Sequence, residues 1–218
     1  MALGEVASCQ ATIAEAISLA KELNDMNSLA IALSWAAGLA RHERNPAEVE
    51  HWASELIELS TRDNFVFWLA IGAIYRGWAR SASGRTVEGI RWIEQGIKDF
   101  RATGAVLGLP FFLGLKAEAL YLADRPSEAL EAINEAKVLA ERLEHRDYCA
   151  RMHCLRGVFL AAIGADEAQI EASFQEAIKI AKQQKSVSLE KRAEATYAEY
   201  RRQKARWSGE HGFRLALW

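Results

Sequence analysis

Residues 67–96, FWLAIGAIYRGWARSASGRTVEGIRWIEQG, decide the fold. Gly77, Gly89 and Gly96 interrupt apolar text there, and each has counterparts forty residues away along the chain. Gly77 stands in a column with Ala37, Ala117 and Gly157. Gly96 aligns with Ala16, Leu56 and Ala136, and Ala177 follows one residue late. Gly89 aligns with Cys9, Val49 and Ala129, with Ile170 again one residue late. Self-similarity at this period marks a repeat architecture, in which each unit stacks on its neighbours. A glycine inside a helix costs ~0.5–1 kcal/mol relative to alanine, so glycines kept in phase point to close packing. Antiparallel helices approach closely only where the facing positions carry little side chain.

Working outward, every long segment places apolar residues three and four apart, and none alternates strictly. Ile13, Ala16, Ile17 and Ala20 form one such stripe; Ile90, Ile93, Ile97 and Phe100 form another, and Leu130, Ile133, Ala136 and Ala140 a third. The spacing predicts helices over 5–23, 27–43, 46–61, 64–82, 86–102, 109–123, 126–144, 147–163, 167–184 and 187–204. Gly4, Arg44, Gly84, Asp124 and Gly164 punctuate the chain at intervals of forty. Pro46 and Pro126 follow as first helical residues, where a missing N–H costs nothing. Glu48, Glu88 and Glu128 follow in the first turn, at the positive end of the helix dipole. The chain is all-α.

At this point the residues resemble the tetratricopeptide (TPR) family. Its helix-turn-helix carries small residues at positions eight, twenty and twenty-seven and a bulky one at twenty-four. Gly77, Gly89, Ile93 and Gly96 match that pattern, as do Ala117, Ala129, Ile133 and Ala136. Gly157, Ile170, Phe174 and Ala177 match with one insertion, and Ala37, Val49, Ala53 and Leu56 match more weakly. The resemblance implies an α-solenoid of about ten helices in antiparallel pairs, wound as a right-handed superhelix. The array is expected over residues 1–204: a second helix (1–25), repeats at 26–63, 64–104, 105–145 and 146–185, and a last first helix (186–204). Residues 205–218 are expected to be a tail or a degraded helix, since Gly209, Phe213 and Ala216 keep the spacing without a clean stripe. An array cut at both ends reads as part of a longer protein.

The forty-residue unit exceeds the usual TPR length. It looks like the long-repeat class in C-terminal arrays of bacterial regulatory ATPases, including those joined to nucleotide cyclases. LSWAAGLARHER (33–44), FWLAIGAIYRGWARSASGR (67–85) and EASFQEAIKIAKQQKSVSLEKRAE (171–194) carry that likeness. The chain has no GxxxxGK[ST] phosphate loop, so their nucleotide chemistry is not carried over.

Composition narrows the functions. Half the 218 residues are hydrophobic, 26% are charged and only 3 are proline, which suits a chain with a substantial core. A formal net charge of -2 gives no overall attraction to nucleic acid or anionic membrane. The basic run Arg201, Arg202, Lys204 and Arg206 reads as a solvated helix end, without a nucleic-acid recognition motif. Three cysteines without framework spacing fit a reducing compartment, and Met1–Glu5 lacks a basic secretory start. No apolar run reaches the ~20 residues a membrane helix needs. Cytoplasmic location is expected.

His145, Cys149 and His153, with Cys154 beside them, follow helical spacing and carry zinc-ligand chemistry. Three residues so spaced cover about 12 Å of helix, and no second cluster closes a site. No metal or cofactor is expected, and no paired acid–base or nucleophile motif points to an enzyme. Trp52 and Trp92, forty apart on second helices, read as packing between repeats.

The family's geometry implies a concave groove lined by first-helix side chains. Here it would be formed by Arg41, Ile74, Trp78, Phe111, Glu118, Tyr121, Arg151 and Val158, apolar and aromatic in the middle with charge at its edges. It lacks the polar clamp that resembles carboxylate-binding TPR grooves. Such a lining suits a protein or peptide partner, an amphipathic helix above all, with anchors at i, i+3, i+4 and i+7. The expected function is a non-enzymatic interaction scaffold: the docking or sensing region of a larger bacterial signalling or transcriptional regulator. The alternatives are a free-standing homodimeric adaptor, and a small-molecule sensor using Trp78, Phe111 and Tyr121. The groove could also be filled by the chain's own terminal helix or by a second copy.

Overall fold

Ten helices follow one another without a strand among the described residues of the computed structural model. It describes residues 3–144, 146–206, 213 and 215–217, with side chains from residue 7 onward. The helices are α1 (Leu3–Glu22), α2 (Met26–His42), α3 (Pro46–Arg62), α4 (Val66–Ala82), α5 (Thr86–Ala102), α6 (Leu109–Leu122), α7 (Pro126–Arg142), α8 (Cys149–Ala162), α9 (Glu167–Gln183) and α10 (Val187–Ala205). The chain divides into two compact units, Met1–Val106 with α1–α5 and Leu107–Trp218 with α6–α10. No described helix is long and apolar enough to cross a membrane.

The repeat phase is written into the helix ends. Glu22, His42, Arg62, Ala82, Ala102, Leu122, Arg142 and Ala162 close successive helices twenty residues apart. Two residues beyond each end, one residue takes a left-handed backbone: Asn24, Arg44, Asn64, Gly84, Gly104, Asp124, Glu144, Gly164 and Lys185, with φ between 53° and 88°. At most of these junctions the chain then folds back onto the last turn. Asn45 N–H reaches the Ala40 carbonyl and Arg44 N–H the Arg41 carbonyl, each at 3.0 Å, and the same pair of bonds recurs at Gly84–Arg85 and Asp124–Arg125. This is the Schellman closure, and it satisfies carbonyls that helix termination would leave without partners. Pro46 and Pro126 open α3 and α7 as the sequence indicates, and Asn45 caps α3 by accepting from the Glu48 N–H.

Left-handed backbone costs an L-residue ~1–2 kcal/mol, a strain glycine avoids while losing some chain entropy. Glu144 and Lys185 hold this conformation with exposed side chains. Glu144→Gly and Lys185→Gly should therefore each stabilise the protein by ~0.5–1 kcal/mol. Melting curves of the single variants check this, and a fall in both melting temperatures would contradict it.

Within the first unit, Gly77 and Gly89 face each other where α4 crosses α5. A Cβ on Gly77 would stand 2.6 Å from the Gly89 carbonyl oxygen, and one on Gly96 would stand 2.9 Å from the Ala70 carbonyl oxygen. Gly77, Gly89 and Gly96 thus stand at close helix approaches, as their phase implies. Ile74, Ile93, Trp78 and Phe100 fill the core around them. In the second unit Gly157 admits the Phe174 ring, which also stacks on Tyr197 at 5.4 Å and meets Tyr200 at 5.9 Å. α6 and α8 have 14 residues where most of the others have 17, because they start late rather than end early.

Candidate partner-binding site

The first-helix faces are built separately in the two units. In the first, α2 and α4 carry them. Tyr75 lies over Gly38, where an added Cβ would meet its hydroxyl at 3.1 Å. Three residues further along both helices, the Arg41 guanidinium covers the Trp78 ring at 5.7 Å. Trp78 is 1% exposed, Ile74 is fully buried, and Arg41 is 8% exposed. Cation–π contact with a desolvated ring strengthens such packing. These side chains form the interior of the unit rather than an open wall.

In the second unit the corresponding faces of α6 and α8 are more open. Phe111 meets Tyr148 at 4.8 Å and stays half-buried. Glu118, 1% exposed, accepts from Arg151 at 2.6 Å (Nη2) and 3.2 Å (Nε). Arg192 lies near this pair, and burial, then the charge of Arg151, pulls its guanidinium below its ordinary value. Val158 is buried, and Gly114 has open space where a Cβ would go. Tyr121, half-buried, packs on Phe159 at 5.3 Å. Its hydroxyl meets Leu215, ninety-four residues away in sequence, donating to that carbonyl at 2.9 Å and accepting from that N–H at 3.1 Å.

The structure therefore joins Arg41 with Trp78 in one unit and Glu118 with Arg151 in the other, and gives Tyr121 a partner from the chain's own end. Phe213 and Leu215 are buried and non-helical. Gly209, part of the expected spacing for a last helix, lies outside the described residues. His145 of the candidate zinc cluster does too. Among the described residues no group of three or more His, Cys, Asp or Glu could hold a metal ion. Burial pushes the Cys154 thiol up to about 12, which keeps it protonated and unreactive.

His153 has an acid signature. Burial, reinforced by Lys137, Arg156 and Lys179 and opposed by Glu176, pulls its imidazole down to about 4 from an ordinary 6.5. The unfolded chain then takes up this proton before the folded one. Stability from this group is complete above pH 6.5 and declines as pH falls from 6.5 towards 4. His153→Gln should flatten that part of the acid dependence, measured as the difference between wild-type and variant urea midpoints at pH 7 and pH 4.5. An equal acid loss in both proteins would contradict it.

Two features escaped the sequence reading. Glu50 gathers three arginines, Arg76 at 3.4 Å and Arg80 and Arg85 at 3.2 Å. Arg76 and Arg80 also lie over the Trp92 ring, each at 5.2 Å. Separately, α1 and α2 border an apolar hollow of about 460 Å³, lined by Ala16, Leu19, Ile31 and Trp35 among others. Trp35 is 69% exposed, whereas Tyr75, its equivalent forty residues on, is 6% exposed. The two positions are equivalent in the repeat, so the sequence pattern does not separate them.

Comparison with known proteins agrees with the repeat fold. A sequence model of the anaphase-promoting complex subunit 5 family matches residues 1–43 and 143–201. An uncharacterized protein of Rhizobium meliloti (strain 1021) is 24% identical over 190 residues, which is 87% of this chain and 18% of that protein. The chain thus spans under a fifth of the curated relative it matches. Among solved structures, Bacillus thuringiensis PlcR, crystallised with the peptide PapR7 and DNA, matches with TM-score 0.70 and 18% identity over 95% of this chain and 69% of its own. The apo form of RapI matches with TM-score 0.63 and 13% identity over 92% and 79%. Aspartyl phosphate phosphatase F of Bacillus subtilis matches with TM-score 0.53 and 12% identity over 86% and 52%. The fold is a TPR-like helical repeat.

Proposed function

We propose that this chain is a non-enzymatic interaction scaffold, the docking or sensing region of a larger bacterial regulator, and that it binds a peptide or protein segment on its first-helix faces. The carrying observation is the second unit's inner face, where half-buried Phe111 and Tyr121 flank the Glu118–Arg151 pair and Tyr121 already holds a backbone. Aromatic and arginine anchors around a desolvated centre are the usual makings of an interface hot spot. PlcR, which has a similar fold, was crystallised in complex with a peptide, which supports the reading by analogy. The forty-residue phase supports placement in the long-repeat class, with a cytoplasmic setting.

Selection of random twelve-residue peptides on the immobilised chain tests this. Enriched peptides should lose about tenfold or more in affinity against Phe111→Ala and Tyr121→Ala, in line with hot-spot truncation. Absence of any enriched class, or peptides indifferent to both substitutions, would sink it. Trp35 favours a second reading, a homodimer paired through the α1–α2 face. Sedimentation should then show a dimer that Trp35→Glu abolishes.

A further inference from the structure

Resting on that reading, we infer that the tail anchors Phe213 and Leu215 are a resident ligand of the second unit's first-helix face, and that the partner displacing them is a short non-helical peptide with apolar side chains two residues apart. Tyr121 uses one hydroxyl to engage both the N–H and the carbonyl of Leu215. A residue inside a helix has both groups committed to its own backbone ladder, so a helical partner does not offer this pair. The contact is blind to the side chain at that position and selects for backbone that is free. Apolar anchors stand two residues apart: Phe213 meets the Tyr200 ring edge-on at 5.1 Å, and Leu215 is 2% exposed while Ala216 faces solvent. Apolar anchors two residues apart match the side-chain period of extended chain. Backbone bonds for affinity and alternate side chains for selectivity are how an added strand is recognised. The amphipathic helix favoured by the sequence is therefore not the occupant at this end of the array.

Tethering gives such a segment an effective concentration on the order of millimolar. A segment with intrinsic affinity near 100 µM would then fill the site about nine-tenths of the time, weakening any competitor about tenfold. The tail sets a threshold that a partner has to exceed.

The probe is a fluorescein-labelled synthetic peptide of residues 212–218, GFRLALW, titrated into the full chain and followed by anisotropy. The full chain carrying Phe213→Ala and Leu215→Ala should bind it about tenfold or more tightly than wild type. Adding Tyr121→Phe, which keeps the ring and removes the hydroxyl, should cut that affinity about fivefold. Equal binding to wild type and the double variant, or a folded double variant that binds nothing, overturns the inference. So does a double variant that only melts earlier, because the tail is then a structural cap. Should the double variant unfold, the unaltered chain decides: excess unlabelled peptide is expected to accelerate hydrogen exchange of the Leu215 amide, and an unchanged rate overturns the inference. If these tests fail while selected peptides still depend on Tyr121, the scaffold reading survives and only the tail's role is lost.

Discussion

Gly89→Leu is expected to lower the melting temperature by roughly 6–12 °C, from a cost of about 3 kcal/mol for overpacking a closed crossing. Gly89 and Gly77 present backbone to backbone, and a Cβ on either enters the other helix's peptide atoms. A flexible side chain can turn away from an intruding methyl, but a carbonyl in a helical ladder cannot. The helices α4 and α5 would have to part, opening the core around Ile74 and Ile93. Even Gly89→Ala should destabilise, although helix propensity alone favours alanine by ~0.5–1 kcal/mol. Gly114→Ala is the matched control. That glycine lies within α6 with nothing inside 4 Å of an added Cβ, so the propensity term stands alone and the variant should be more stable. Opposite signs at the two positions are the expected result, read from thermal melts by circular dichroism. A rise at both would remove the packing explanation for the repeat's glycine columns.

Glu118→Ala should cost about 3–5 kcal/mol, as for breaking a buried pair while its partner stays behind. Glu118 is 1% exposed and the side chain of Arg151 only 11%, so the guanidinium would be left desolvated in a region that already contains Arg192. Attraction within a buried pair roughly offsets the cost of removing both charges from water. Replacing both members with apolar residues of similar volume, Glu118→Leu with Arg151→Met, should therefore cost far less than Glu118→Ala alone. A double-mutant cycle in urea measures the coupling directly. Additive losses would show that each residue acts through other contacts. Because the pair lies between Phe111 and Tyr121 on α6, the apolar double variant would also report whether the charge contributes to peptide selection.

Much of this was legible in the sequence, because a repeat stabilises itself through near neighbours. The small residues at 77, 89 and 96 and the breakers at 44, 84, 124 and 164 are local requirements of helix crossing and helix termination, whereas Gly4, read as a breaker in the same phase, lies inside α1. Other junctions were less readable. Glu144 and Lys185 hold the same left-handed cap as Gly84 and Gly164, yet nothing in Glu or Lys announces it. At Lys185 the last turn closes through two returning hydrogen bonds, Lys185 N–H to the Lys182 carbonyl and Ser186 N–H to the Ala181 carbonyl, and the residue present accepts the strain.

The sequence alone determined the helical class, the phase of the repeat and the crossings that glycine permits, since all three follow from spacing along one chain. Only the tertiary structure decided which equivalent positions are covered. Trp35 and Tyr75 occupy the same place on successive first helices, but Tyr75 has α2 beside it and Trp35 has solvent. Tyr121 reads from its own repeat as a groove residue, and it is the chain's distant end, at Leu215, that occupies its hydroxyl. Burial depends on what lies across space, and a periodic pattern specifies the face without specifying what comes to cover it.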